Sequence, residues 1–425
     1  VSARSDSAPG GRSGSAEEPV ELVINWGLGR HSSAYLARIL TDPAAHGVDP
    51  ARTVVLHMAV GSEWPDTVAD CEQHLLPELR RHQMRLVQVA RAGQLMRDGI
   101  EVLDDSRDPQ RLITRGGWTL WDELELNGTV PQQGGPRLCS LRAKAEVGDR
   151  WIQQSLPDTP FRQVMGFHAD EERRAASDRR HSRNPRRLPA FPLIEWGWDN
   201  DQCVAFLRDR FRIEWRPSYC FFCCFPVSMG ALPAHLQRMR AYPEIAGRVL
   251  RLEYTATRLN PRARLFGDRS LLQLFDPAAA ADRPVLEAFA AELADRDWAV
   301  YRVRRLLPVS EKNPTRRAPA LRSVRRQDTG GRAQMRRIVE DVANRRRLRL
   351  EVDPVYGSAR AWVRERGPVL PTGEEFEVST PAVVQDKEQD RFAAEWAAHL
   401  LIRQPYPRLD ETLAPETSAE MEEDR

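Results

Sequence analysis

Two groups of residues in this chain have the type and spacing to do chemistry. The first is Cys220-Phe-Phe-Cys223-Cys224. Two thiolates with two residues between them reach one metal from a tight turn. Cys224 is adjacent and is a candidate further ligand. A redox dithiol and inert core thiols are alternative readings, because Tyr219, Phe221, Phe222 and Phe225 would either shield a metal group or simply fill a core. The second group is Gly27-Leu-Gly29-Arg30-His31-Ser32-Ser33. A Gly-x-Gly turn between a strand and a helix frees backbone N–H groups to point at an anion, where the helix N-terminus adds positive potential. The Gly-Lys-Ser/Thr ending of a Walker loop is missing, and so are the three spaced glycines of a dinucleotide fingerprint.

The surrounding pattern supplies elements to position these groups. Glu21–Asn25 reads as a strand that stops at the glycine turn, and Ser33–Leu40 as an amphipathic helix after it. Residues 53–60, 85–90 and 161–166 read as further strands, and 68–82 and 199–211 as helices. Repeated strand–loop–helix units predict an α/β fold: a parallel sheet flanked by helices, with ligands at the carboxyl ends of its strands. A mainly helical, cysteine-containing region follows, with a helix expected over 284–307. From Pro308 the chain turns basic, with Arg316-Arg317, Arg325-Arg326, Arg336-Arg337 and Arg345-Arg346-Arg347 partly on a helix and short strands around Trp362. The expected organisation is a disordered leader (1–20), a nucleotide-binding α/β domain (21–215), the cysteine-containing helical region (216–307), the basic region (308–410) and an acidic disordered tail (411–425).

Several of these segments match one known family in order. Gly27–Ser33 resembles the Ser-Gly-Gly-x-Asp-Ser pyrophosphate loop of the PP-loop ATP pyrophosphatases and phosphoadenosine-phosphosulfate reductases. Gly61-Ser-Glu63-Trp-Pro65-Asp-Thr67 looks like the reductases' Gly-x-Glu-x-Pro-x-Thr segment. Arg137-Leu-Cys139-Ser140 with Lys144 is similar to their Arg-x-Cys-Thr-x-x-x-Lys motif. Gly166-Phe-His-Ala-Asp170-Glu171 with Arg173 and Arg174 resembles their Gly-x-Arg-Ala-Asp-Glu-x-x-Arg loop, and Phe191–Trp196 their Tyr-Pro-Leu-x-x-Trp element. The matches span residues 22 to about 226, roughly half the chain, and they imply a PP-loop, Rossmann-like fold that binds ATP or another adenine nucleotide. Gly27, Gly29, Arg30, Ser32, Ser33, Gly61, Glu63, Arg137, Lys144, Arg173 and Arg174 would contact the nucleotide. Ser32, Arg30, Asp170 and Glu171 would serve catalysis, the two acids binding a ribose or Mg²⁺ or orienting the arginines. The family's loop aspartate is His31 here, and the loop's first Ser and Gly are replaced.

The resemblance also places Cys139 on a loop over the same face as Cys220 and Cys223. Three thiolates with an open position suit a [4Fe–4S] cluster, and three plus another ligand suit zinc. No cysteine follows Cys224, so the C-terminal nucleophile of the assimilatory reductases is absent. The family chemistry that remains is adenylation, and in its thiolating members a cluster presents sulfur. The expected function is therefore an ATP-dependent adenylating sulfurtransferase-like enzyme. The alternatives are a reductase-like sulfonucleotide-binding protein using an external thiol, and a nucleotide-binding module without turnover. The arginine pairs would suit a tRNA or DNA substrate, against the plainer reading of a solvated helix. A sulfur or electron donor protein is a further expected partner.

The six cysteines are too few and too clustered for a secreted disulfide scaffold. No run approaches the roughly 18 apolar residues of a membrane span, and the opening residues lack the apolar core of a signal peptide. The expectation is a cytoplasmic protein that does not enter a membrane. Cys71 and Cys203 read as structural.

Overall fold

A computed structural model describes residues 19–131, 137–226 and 230–401. The expected acidic tail and nearly all of the expected leader lie outside them. The chain divides into two compact units between Asp295 and Arg296.

The first unit runs β1 (Leu22–Asn25), α1 (Arg30–Ile39), β2 (Thr53–Met58), α2 (Pro65–His74), α3 (Leu76–Arg81), β3 (Arg85–Arg91), β4 (Ile100–Ser106), α4 (Leu120–Leu126), α5 (Leu138–Ser140), α6 (Glu146–Ser155), β5 (Phe161–Val164), α7 (Glu172–His181), β6 (Arg187–Ala190), α8 (Pro192–Glu195), α9 (Asn200–Phe211), α10 (Leu232–Ala241), α11 (Pro243–Leu259) and α12 (Arg283–Ala294). Its six-stranded sheet has the order β4-β3-β2-β1-β5-β6. All neighbours are parallel except β4, which runs antiparallel to β3. The sheet is thus mixed, where a wholly parallel one was expected. Ile100-Glu-Val-Leu-Asp-Asp-Ser escaped the sequence reading because an edge strand needs no apolar run, and its side chains are half-buried or exposed.

Both faces of this sheet are covered. Ile24, Val55 and Leu86 pack with Leu36 and Ile39 of α1, Cys71 of α2 and Leu207 of α9. Val23, Val54, Leu56 and Val87 pack on the other side with Val147, Trp151 and Ile152 of α6. Two-sided burial explains why β1, β2 and β3 read as almost continuous apolar runs. The single helix expected over 68–82 is two, α2 and α3, because Pro77 sits in the first turn of α3 and cannot donate to the preceding turn. The strand order reverses between β1 and β5, the switch point at whose crevice open α/β sheets bind ligands.

The second unit comprises β7 (Trp298–Leu307), β8 (Val309–Ser310), β9 (Asn313–Arg317), β10 (Leu321–Gly330), α13 (Arg332–Arg346), β11 (Arg349–Val352), β12 (Ala359–Arg364), β13 (Thr372–Pro381), β14 (Lys387–Glu388) and α14 (Phe392–Leu401). The helix expected over 284–307 ends at Ala294, and 298–307 is instead the central strand of an antiparallel sheet, order β11-β12-β13-β7-β10-β14. Arginines within β7 disguised it. They are accommodated by cross-strand acids: Arg302 pairs with Glu375, Arg305 with Glu374 and Arg304 with Glu388. Met335, Val339 and Ala343 form the buried stripe of α13.

Lys387 makes the stability of this unit pH-dependent. Burial, aided by repulsion from Arg322, pulls its ammonium down to about 6 from an ordinary 10.5. Between those values the unfolded chain binds the proton and the folded chain does not, so stability should rise as pH rises from 6 toward 10. Hydrogen-exchange protection of β7 and β10 is expected to be greater at pH 9 than at pH 6.5 after correction for intrinsic exchange. Lys387→Met should flatten that difference, and an unchanged slope would remove Lys387 as its cause.

Candidate functional site

The crevice begins at the glycine turn. Trp26 is fully buried, and its Nε1 donates to Ser33 Oγ at 3.0 Å. Leu28 holds a left-handed backbone, φ 60°, with its side chain fully buried. An L-residue there costs roughly 1–2 kcal/mol, which the packing of the leucine must offset. Gly27 N donates to Ser32 Oγ at 3.3 Å, and Ser33 N donates to Gly29 O at 2.9 Å as α1 begins. Ser32 is half-buried at the helix start, whereas Ser33 is buried with its hydroxyl spent on Trp26.

The loop after β5 presses against this turn. A Cβ on Gly166 would lie 2.8 Å from Ser32 N and 2.9 Å from Ser32 Cα. Gly61, after β2, has φ +86°, and a Cβ there would meet Thr119. Ser218 Oγ lies 3.0 Å from Gly27 O and 2.9 Å from Glu63 Oε2, so its one proton serves either.

The cysteine segment is fastened across the same strand ends. Arg30 Nε donates to Trp215 O at 2.8 Å, and Phe221 N donates to Ser62 O at 3.1 Å. Cys223 N donates to Cys220 O at 2.7 Å, the tight turn expected of the Cys-x-x-Cys spacing. Cys139 lies in α5, whose last residue, Ser140, leads into a π-helical turn, Leu141–Ala145, which carries Lys144; such turns recur at functional sites. Cys220 senses the charges of Glu63, Lys144, Cys223 and Cys139, and Cys223 those of Cys139, Arg137 and Lys144. Burial raises the Cys220 and Cys223 thiols and pushes Cys224 up to about 12. None of the four forms a disulfide.

Among the described residues no three cysteine sulfurs come within 4.8 Å of one another. A tetrahedral zinc site with bonds of about 2.3 Å needs sulfurs about 3.8 Å apart. As placed, the three thiols do not meet that spacing.

Other expected contacts are placed as follows. Arg137 is exposed, its guanidinium 4.1 Å from the Phe225 ring centre. Arg174 pairs with Glu171 and lies 4.4 Å over Phe167. Arg173 and Asp170 are exposed. Glu171 Oε2 accepts from His168 N at 3.3 Å, and the His31 and His168 rings stand 4.4 Å apart. His31 Nε2 is 3.2 Å from Asn200 Oδ1. Burial, with repulsion from His168 and Arg30, lowers the His31 pKa against the opposing pull of Asn200 and Glu171. The sequence reading noted His31 only as a departure from aspartate. It passed over His168, although that residue sits two before Asp170, and Asn200, which carried no signal.

Comparison with known protein families, curated proteins and solved structures returns no match. The site must therefore be read from its own chemistry.

A second cleft, about 350 Å³, lies beside the loop and is lined in part by Arg30, Asp66, Arg216, Tyr219, Arg238 and Tyr242. Arg30 thus faces this cleft from the first turn of α1. Among the described residues no helix is long and apolar enough to cross a membrane.

Proposed function

We propose that Gly27–Ser33 binds the phosphates of ATP or a related adenine nucleotide, and that the chain is an adenylating sulfurtransferase-like enzyme. The observation that carries this reading is the fastening of the Cys220–Cys224 segment across the strand ends that hold the glycine turn, through Phe221 N to Ser62 O and Arg30 Nε to Trp215 O. A substrate oxygen attacks the α-phosphorus, the bond to the β-phosphate oxygen breaks, and pyrophosphate leaves. A sulfur nucleophile then displaces AMP. Backbone amides at Gly29 and Arg30, the Ser32 hydroxyl and the charges of Arg30, Lys144 and Arg137 orient and neutralise the phosphates; Asp170 or Glu171 would hold Mg²⁺, which would supply further charge neutralisation there. Arg173 lies exposed at the start of α7, within the same loop–helix unit. A [4Fe–4S] group held by Cys139, Cys220 and Cys223 would supply the sulfur-carrying chemistry. Cys224, the further candidate ligand, is buried.

A nucleic-acid acceptor, tRNA or DNA, fits the exposed Arg316, Arg317, Arg326, Arg337, Arg346 and Arg347 of the second unit. The arginines of β7 are matched by acids and add little to such a surface.

Anaerobic purification followed by iron and sulfide analysis and an ATP–pyrophosphate release assay tests the reading. Iron with acid-labile sulfide, and pyrophosphate release that depends on an RNA or DNA pool, are the expected results. A colourless, iron-free protein sinks the cluster. Nucleotide binding without release would make the chain a binding module, the reading that His31 in place of the loop aspartate favours. Ser32→Ala is expected to weaken ATP binding about tenfold or more, from loss of one hydrogen bond to a charged group. Unchanged affinity would move the site elsewhere.

A further inference from the structure

We infer that His31, His168 and Glu171 form a binding site for one borderline divalent transition metal of the zinc class. One ligand atom from each residue lies within 4.8 Å of the others, and all three side chains are half-buried. His168 Nε2 and Glu171 Oε2 are 3.7 Å apart, near the roughly 3.4 Å edge of a tetrahedron with bonds of 2.0–2.1 Å. The two histidine rings already stand close, their centres 4.4 Å apart and their planes inclined at 54°.

The surroundings are those of a ligand set. His31 Nε2 has Asn200 Oδ1 at 3.2 Å; the tautomer that donates there leaves Nδ1 as a lone pair. His168 Nδ1 is buried and makes no hydrogen bond, with Asp170 Oδ2 3.5 Å away to receive its proton. A carboxylate behind a ligating imidazole fixes the tautomer and raises its basicity. Glu171 uses Oε1 for Arg174 and turns Oε2 to His168, so metal binding need not break the arginine pair.

Donor chemistry selects the ion. Mg²⁺ and Ca²⁺ take oxygen ligands, whereas two imidazoles and one carboxylate suit zinc, iron(II) or cobalt(II). Three protein ligands leave at least one coordination position open to water or a substrate oxygen. The site joins the turn after β1 to the loop after β5, the two loops flanking the reversal of strand order. It occupies the ground of the loop's missing aspartate with a different ligand type. The inference rests on these side chains alone and stands without the nucleotide.

The test uses the full, tag-free chain, stripped with a chelator and titrated with ZnCl₂ in competition with a chromophoric chelator. Zinc-edge X-ray absorption separates nitrogen and oxygen ligands at 2.0–2.1 Å from sulfur at about 2.3 Å. One zinc equivalent with a nitrogen/oxygen shell and imidazole scattering is expected in the wild type. His168→Ala and Glu171→Gln should each weaken that equivalent at least tenfold, and Cys220→Ser should leave it unchanged. Zinc bound only through sulfur, no zinc at all, or a nitrogen/oxygen equivalent indifferent to both substitutions would overturn the site. If either variant misfolds by circular dichroism, the wild-type spectrum decides. ATP affinity measured on the same zinc-free chain keeps the two proposals apart, since either can fail while the other holds.

Discussion

Arg238→Met should destabilise the first unit by about 3 kcal/mol, the low end of the 3–5 kcal/mol expected when one partner of a buried ion pair is removed. Arg238 is only 8% exposed. Its Nε donates to both Asp66 oxygens at 3.1 Å, Nη1 donates to Pro217 O at 3.0 Å, and Nη2 donates to Thr67 Oγ1 at 2.6 Å. Its plane also lies 4.6 Å from the buried Trp64 ring. Deleting it strands the Asp66 carboxylate, whose side chain is 10% exposed. Arg216, 3.2 Å from Asp66 but half in water, offsets part of the loss, which is why the low end applies. The consequence reaches function, because Arg238 ties α10 to Pro217, three residues before Cys220. Urea unfolding should show the loss, and Arg238→Met with Asp66→Asn should recover part of it. A loss below 1 kcal/mol would mean that the pair is not buried as described.

Gly166→Val should weaken nucleotide binding at least tenfold for a steric reason. The first atoms its Cβ meets are Ser32 N and Cα, backbone at the start of α1, which cannot swing aside as a side-chain tip would. Either the loop after β5 or the glycine turn must move, and overpacking of this kind costs about 1–3 kcal/mol. A displacement of the helix N-terminus removes the aligned amides on which phosphate binding depends. ATP affinity is expected to fall at least tenfold in an equilibrium titration. Gly331→Val is the control, since a Cβ at Gly331 meets no heavy atom within 4 Å and the residue lies outside the proposed nucleotide site. Equal losses in the two variants would show that the effect is not the close approach of the two loops.

What could be read from sequence follows the physics of each element. Strands buried on both faces announce themselves, so Leu22–Asn25, Thr53–Met58 and Arg85–Arg91 were all legible. The edge strand at Ile100–Ser106 and the arginine-bearing Trp298–Leu307 were not. The first shows neither an apolar run nor clean alternation; the second opens on an apolar run, Trp298–Tyr301, that arginines then interrupt, and these are explained only by acids some seventy residues further on, Glu374 and Glu375. The glycine turn and the Cys-x-x-Cys turn were visible because each is a local device. The meeting of His31 with His168 and Asn200 was invisible, because it depends on β5 lying beside β1 and on α9 packing against α1.

The most direct measurement is hydrogen exchange by mass spectrometry with and without saturating ATP. Adenine-nucleotide binding at the crevice should protect amides of residues 27–33 and 165–171 together, with smaller changes in the Cys220–Cys224 turn. Protection confined to the cleft around Arg216, Tyr219 and Tyr242, or no protection anywhere, would contradict it.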